Sequence, residues 1–346
     1  MLSKYIISEY ASILDALKAI NTMGSNEALT LFVEDNLGRI IGTLTDGDVR
    51  RSLICGTKLS ECVGLIANRN FTYLREGSFD VKQIHFAKEK SIELLPILNE
   101  RMQMVDLVNL KRQKSYLPID AVLMAGGKGE RLRPLTEKIP KPLLKIGEKC
   151  IIDYNIDRLI HYGIRHLSVT VNYLKEQLEE HFAEPRNNIL VKTVREPKFL
   201  GTIGSIKFVD NFYNDTVLLM NSDLFTNIDY EDFFLHFIEH NADMSIAAVP
   251  YTISVPYGIF ELDGRNIKGV LEKPTYNYYA NAGIYLIKRE LLNLIPKDVF
   301  FNATDFMSML MQNNYKVIRY PLNGTWIDIG NPQEYQKAKE LVKHIR

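Results

Sequence analysis

Cysteine is scarce. The 346-residue chain holds only Cys55, Cys62 and Cys150, an odd number without C-x-x-C spacing, which argues against a disulfide framework or a thiolate zinc site and fits a reducing compartment. Long apolar runs are lacking too: none approaches the roughly 18 residues of a membrane span. The first residues, MLSKYIISEYAS, have no extended apolar stretch of the kind found in secretory leaders. Net charge is absent, since 42 Lys and Arg face 42 Asp and Glu. No whole-molecule field recruits nucleic acid or an anionic membrane, so any attraction for phosphate must be local. Together these absences predict a cytoplasmic protein without nucleic-acid or membrane partners. What remains is an ordinary globular composition, 46% hydrophobic and 24% charged, which argues against disorder. The length suggests two domains.

The most informative stretch is AVLMAGGKGERLRPLTEKIPKPLLK, residues 121–145. Ala121 to Met124 reads as a buried strand, and Gly126, Gly127 and Gly129 follow at its carboxyl end, where backbone N–H groups can approach a polyphosphate closely. Arg131 and Arg133 bring donors into the same loop. Lys141 stands between Pro140 and Pro142, a point charge on a stiffened backbone. A P-loop is excluded, because Gly127-Lys128-Gly129-Glu130 lacks the Gly-Lys-Ser/Thr ending. A dinucleotide fingerprint is excluded as well, because Leu132 stands where a third glycine is needed.

Residues 1–110 and 118–346 read differently, with the basic stretch Lys111 to Ser115 as the linker between a first domain over 1–115 and a second over 118–346. The first domain opens with a helical pattern at Ile13, Leu14, Leu17 and Ile20. Strands follow at 29–33 and 40–44, and a helix opens at Thr45-Asp46-Gly47-Asp48. This order resembles a CBS module, and residues 42–50 resemble that family's closing motif. Residues 58–110 repeat the plan loosely, with a strand near 71–74, a helix near 81–89 and strands at 93–98 and 102–107, but end in Asp106-Leu107-Val108-Asn109. The resemblance implies a CBS pair with a degenerate second copy. One regulatory nucleotide at Thr45 and Asp48 is as well supported as a purely packing or dimerising module, and a homo-oligomer is expected. In the second domain helices at 151–162, 174–182, 203–211 and 332–345 alternate with strands at 166–171, 189–194 and 216–220. That alternation predicts a mainly parallel sheet covered by helices, with ligands at the carboxyl ends of its strands.

The glycine stretch resembles the signature of sugar-1-phosphate nucleotidylyltransferases, and five further segments follow in that family's order. They are Glu196-Pro197-Lys198-Phe199-Leu200-Gly201-Thr202-Ile203-Gly204-Ser205, Asn221-Ser222-Asp223, Leu271-Glu272-Lys273-Pro274, Asn281-Ala282-Gly283-Ile284-Tyr285 and Trp326-Ile327-Asp328-Ile329-Gly330. The resemblance implies an α/β, Rossmann-like nucleotidyltransferase core behind the CBS pair. It implies transfer of a nucleotidyl group from an NTP to a sugar 1-phosphate, with Mg²⁺ as cofactor, to give an NDP-sugar and pyrophosphate. It assigns Arg131 and Lys141 to catalysis, and Ala125, Gly126, Gly127, Gly129 and Gly201 to the nucleotide. Asp223 and Asp328 go to the metal, and Glu272, Lys273 and Asn281 to the sugar phosphate. Among relatives, guanylyltransferases acting on a hexosamine 1-phosphate in bacterial surface-glycan synthesis fit this domain order. A silent nucleotide sensor and a cytidylyltransferase of non-sugar phosphates are the competing readings. Glu130 departs from the pattern, standing where relatives carry Thr or Ser, and is expected to point outward or to pair with Arg131 or Arg133. His236-Phe237-Ile238-Glu239-His240 fits an inverted zinc-peptidase motif, but it reads as a chance match on an amphipathic helix.

Overall fold

The computed structural model describes residues 2–23, 28–77 and 81–343. The chain forms two compact units, Met1–Leu117 with His161–Gly163, and Pro118–Ile160 with Ile164–Arg346.

The first unit contains one topology twice. Its first half runs β1 (Ile6–Ser8), α1 (Ile13–Thr22), β2 (Thr30–Glu34), β3 (Ile40–Thr45) and α2 (Asp46–Ile54). α1 begins where the Ser12 hydroxyl accepts the Asp15 N–H at 3.1 Å, and it buries Ile13, Ala16 and Ile20 on one face. β2 pairs in parallel with β1 and antiparallel with β3. In the β2–β3 turn the Asp35 carboxylate accepts the Leu37 and Arg39 N–H groups at 2.9 Å, and Gly38 takes a φ of 72° that a side chain would resist. The second half repeats the scheme with β4 (Leu74–Arg75), α3 (Val81–Glu89), β5 (Leu94–Leu98) and β6 (Met104–Asn109). β5 is again parallel to the preceding strand and antiparallel to the next. Phe32 and Ile40 of the first half share a core cluster with Leu94 and Leu98 of the second.

The second unit is built on a seven-stranded sheet. Its elements are β7 (Ile119–Ala125), the short pair β8 (Lys145–Ile146) and β9 (Lys149–Cys150), α4 (Ile151–His161), β10 (His166–Val171), α5 (Lys175–His181), β11 (Val191–Arg195) and β12 (Thr216–Asn221). Then come β13 (Leu224–Thr226), α6 (Tyr230–Glu239), β14 (Met244–Ser254), β15 (Ile259–Asp263), β16 (Asn266–Leu271), β17 (Thr275–Lys288), α7 (Ala303–Gln312), β18 (Val317–Pro321), β19 (Trp326–Asp328) and α8 (Pro332–Val342). The sheet order is β11-β10-β7-β12-β17-β14-β18. β7 and β12 are buried almost throughout, as strands covered on both faces must be.

The sheet is mainly parallel as expected, with one reversed strand, and two helix expectations need correction or restriction. The sheet is mixed, because β17 runs antiparallel to both β12 and β14 while the other neighbouring strands pair in parallel. β14 and β17 are the two sides of one long ribbon closed by the β15–β16 hairpin, and a ribbon that folds back on itself is antiparallel by construction. The helix expected over 203–211 is only a 3-10 turn, Gly204–Phe208. The N–H groups of Ile203 and Gly204 bond to the Phe301 carbonyl at 3.1 and 3.2 Å, which ties the head of the segment to the loop before α7, and the bonds that follow, Ile206 N–H to the Ile203 carbonyl and Val209 N–H to the Ile206 carbonyl, have 3-10 spacing. The closing helix extends through Val342, and residues 344–345 of its expected span lie outside the described residues.

Candidate active site

The carboxyl ends of β7, β10, β11 and β12 stand side by side and hand the chain to Gly126, Asn172, Glu196 and Ser222, all of which line one cavity of about 660 Å³. This is where the chain order reverses across β7, the place at which open α/β sheets bind ligands. The glycine turn forms one wall. Gly129 has φ 63°, and a Cβ there would press on Thr136 and Lys141. The Thr136 hydroxyl donates to the Gly129 carbonyl at 2.8 Å, locking the turn from below. A Cβ on Gly126 would collide with Glu196 Oε1. Only glycine lets the turn close on that carboxylate.

Lys141 is the buried cation of the site. It sits in the 3-10 turn Lys141–Leu143 and its Nζ contacts the Asp223 carboxylate, with Asp328 Oδ1 4.0 Å away. Local pairing brings the two aspartates together. β13 and β19 form an antiparallel ladder in which Leu224 faces Asp328, and the Ile329 N–H donates to the Asp223 carbonyl at 3.2 Å. The Trp326 indole N–H donates to the Ala282 carbonyl at 2.9 Å, fixing β19 against β17. Asn155 donates to the Leu224 carbonyl at 2.8 Å and holds the other strand of the ladder.

Electrostatically the pair is incomplete. Asp223 Oδ1 is buried without a hydrogen-bond partner. Burial, and then the Asp223 carboxylate, push the Asp328 carboxyl above its usual range against the pull of Lys141 and Arg131. Two converging carboxylates beside the glycine turn, one with an orphaned oxygen, are the donor set that a hard divalent cation such as Mg²⁺ accepts. Cys150, Asp153 and His181 also converge. There the Arg186 guanidinium contacts both Asp153 and His181 at 2.7 Å and supplies the positive charge itself.

Of the residues singled out in the sequence, the structure gathers Ala125, Gly126, Gly127, Gly129, Arg131, Lys141, Gly201 and Asp223 around the cavity. Gly201 has φ 79°, and a Cβ on it would strike the Phe301 carbonyl. Arg131 lies against Gly330, two residues after Asp328. Glu130 is exposed and makes a 3.9 Å ion pair with Arg133, one of the partners expected for it. Glu272, Lys273 and Asn281 do not line the cavity. The first two are exposed where β16 leads into β17, and Asn281 bonds to the Tyr285 hydroxyl and the Gly283 N–H at 2.9 Å. Thr45 and Asp48 cap α2 reciprocally, Asp48 Oδ2 accepting from the Thr45 N–H at 2.8 Å and from its hydroxyl at 2.6 Å. Asp48 Oδ1 accepts from Arg51 at 2.6 Å. His236 and His240 stack on each other 4.2 Å apart.

Sequence reasoning missed Glu196. It is buried, it lines the cavity under Gly126, and its Oε2 accepts the Leu200 N–H at 3.3 Å. Burial pushes its carboxyl up to about 7. The available signal was an acid directly after a strand on the cavity side, at the head of a segment already singled out for Gly201.

The mannose-1-phosphate guanylyltransferase catalytic subunit beta of Danio rerio is 28% identical over 224 residues, 62% of this chain and 62% of that protein. The bifunctional protein GlmU of Methanococcus maripaludis is 30% identical over 230 residues, 64% of this chain and 53% of that protein. The chain thus spans between half and two thirds of the length of these relatives. The crystal structure of HddC from Yersinia pseudotuberculosis shares the fold, with a TM-score of 0.51 at 24% identity over 65% of this chain and 99% of that one. A family profile described as nucleotidyl transferase matches residues 120–344, which take in β7 through α8, and the chain belongs to that family.

Proposed function

We propose that this chain catalyses nucleotidyl transfer from an NTP to a sugar 1-phosphate, giving an NDP-sugar and pyrophosphate, with GTP as the nucleotide and a hexose or hexosamine 1-phosphate as acceptor. The observation that carries this reading is the constellation of Lys141, Asp223 and Asp328 beside the glycine turn. An oxygen of the sugar phosphate attacks the α-phosphorus, and the bond to the pyrophosphate oxygen breaks. No proton transfer to the leaving group is required, so the protein acts by positioning and by neutralising charge. The N–H groups of the 126–129 turn and Arg131 hold the β- and γ-phosphates. Lys141 turns from Asp223 towards the α-phosphate, where negative charge builds. Asp223 and Asp328 hold Mg²⁺, which when bound neutralises phosphate charge. Glu272, Lys273 and Asn281 meet the sugar phosphate, a role that rests on their motifs.

Glu196 supports guanine. A carboxylate only accepts, and the Watson–Crick edge of guanine offers two adjacent donors, N1–H and the N2 amino group. Uracil and thymine present a single N–H between two carbonyls, whose lone pairs a carboxylate repels. The name of the Danio rerio relative points the same way. A pyrophosphate-release assay crossing the four common NTPs with a panel of sugar 1-phosphates tests the reading. Turnover is expected with GTP and an aldohexose or hexosamine 1-phosphate, and a preference for UTP or dTTP would remove the role given to Glu196.

For the first unit we propose a CBS pair that takes one purine nucleotide at the start of α2. The duplicated strand–helix–strand–strand topology supports this reading. To accept ribose hydroxyls, Asp48 would exchange its contact with Arg51 for the ligand.

A further inference from the structure

The cavity beside the glycine turn is walled mainly by glycines, small side chains and charged groups. Among the described residues that line it, Phe199 alone is aromatic. The ring sits on a turn that is held firmly. On one side the Leu200 N–H donates to the Glu196 carboxylate at 3.3 Å, and Leu200 itself is fully buried. On the other, the Phe301 N–H donates to the Leu200 carbonyl at 2.9 Å, and the Ala303 N–H donates to the Thr202 hydroxyl at 2.8 Å. Phe199 is still 51% exposed. Its ring meets that of Phe300, with centroids 5.8 Å apart and planes inclined by 61°. A contact so inclined engages an edge or a single face. With half of the side chain exposed, one face of the ring is left to the cavity. A single exposed ring is ordinary on a protein surface, but this one stands three residues from Glu196 and lines the same cavity.

We infer that Phe199 is the base-stacking residue: its ring lies on a face of the base whose edge meets Glu196, and the contact favours a purine over a pyrimidine. This rests on the proposed reading, in which the cavity takes an NTP and Glu196 takes the guanine edge. In that reading the phosphates go to the glycine turn, Arg131 and Lys141. The base edge goes to a carboxylate. The apolar faces of the base still need a partner, and polar groups do not supply one. Glu196 and Phe199 are joined through the Leu200 N–H, so a single base can meet both. Stacking on an aromatic ring works through overlap and suits any base. The bicyclic purine overlaps a phenyl ring more fully than a pyrimidine does. Phe199 therefore selects by size, while Glu196 selects among purines by donor pattern.

The test is calorimetric binding of GTP, CTP and inorganic triphosphate, each with Mg²⁺, to the full chain and to Phe199→Ala, Phe199→Leu, Phe199→Trp and Phe300→Leu. Position 199 is half exposed, so its variants should keep the wild-type circular dichroism. Phe199→Ala and Phe199→Leu should each raise the Kd for GTP by roughly tenfold to a hundredfold, the effect of removing one aromatic stack. The Kd for CTP should rise less, and that for triphosphate should not change. Turnover should show the loss in KM for GTP with kcat little altered. Phe199→Trp should bind GTP at least as well as the wild type. Its emission, read against the wild type, whose one tryptophan is Trp326, should be quenched by GTP and not by triphosphate. Phe300→Leu, which alters only the neighbouring ring, should bind GTP as the wild type does. If the wild type binds GTP and Phe199→Leu binds it equally well, the inference alone is overturned. It is overturned in the same way if Phe199→Leu and Phe300→Leu lose GTP alike, or if triphosphate is weakened as much as GTP, since either result makes the ring a packing element. A wild type that binds no NTP more tightly than triphosphate overturns the proposed function and this inference with it.

Discussion

Glu196 bears on the stability of the fold and, in the proposed reading, on the base, and the two effects separate by pH. Its carboxyl is held at about 7 by burial, whereas in the unfolded chain it ionises near its ordinary value of about 4.5. Between those pH values the unfolded state binds fewer protons. Its contribution therefore weakens the fold as pH rises from about 4.5 to about 7 and is constant above. Glu196→Gln has no such ionisation, so its Tm relative to wild type should be higher at pH 8 than at pH 5. Catalysis should respond in the opposite sense. Replacing the carboxylate should lower kcat/KM for GTP by roughly tenfold to a hundredfold, the loss of a charged hydrogen bond. The wild-type KM for GTP should fall as pH rises through 7, while that of Glu196→Gln stays flat. A flat wild-type profile would separate Glu196 from base recognition.

The aspartates give a second prediction at this scale. Asp223→Asn and Asp328→Asn should each keep the fold and remove most Mg²⁺-dependent turnover, because each deletes a charge beside the reacting phosphates. Near-normal activity of both variants at limiting Mg²⁺ would sink the two-aspartate assignment.

Among the elements, the Gly201 turn makes the firmest stability prediction. Its φ of 79° and the nearby Phe301 carbonyl both exclude a side chain, so Gly201→Ala should cost about 1–3 kcal/mol, read as a lower Tm at constant pH. The same turn shows why part of the fold was hidden in the sequence. β10 over 166–171 and α3 over 81–89 were legible to the residue, because their apolar periods are clean and local. The 203–211 segment carries a helical pattern as well, but its first two N–H groups are held by the distant Phe301 carbonyl and the bonds that follow close at 3-10 spacing. The reversal of β17 was equally non-local, being set by the ribbon that precedes it. Most of the cavity was legible because the glycine, lysine and aspartate motifs are short and local, the glycine turn and Asp223 following directly on buried strands. Glu196 was not, since a single acid after a strand carries no signal until Gly126 is folded against it. In the first unit, Asp48→Ala removes the Asp48 half of the α2 capping box, leaving the Thr45 cap, and should cost up to about 1 kcal/mol. If the unit also binds a nucleotide, calorimetry on the full chain should show one fewer purine nucleotide bound to the variant than to the wild type, whereas equal stoichiometry would leave Asp48 as a cap alone.

For the whole molecule, the family match covers the second unit from β7 to α8 and leaves the first 119 residues outside it. In the proposed reading, chemistry belongs to the second stretch of chain, and control by the first would require its ligand to favour one state of the second. The claim on which everything else depends is the reaction itself, and phosphorus NMR of the full chain with GTP, Mg²⁺ and a panel of hexose and hexosamine 1-phosphates reads it directly. One sugar phosphate resonance should be consumed while a pyrophosphate diester and free pyrophosphate grow in equal amounts, with no orthophosphate. Release of orthophosphate, pyrophosphate without the diester, or unchanged spectra with every NTP and acceptor would contradict nucleotidyl transfer.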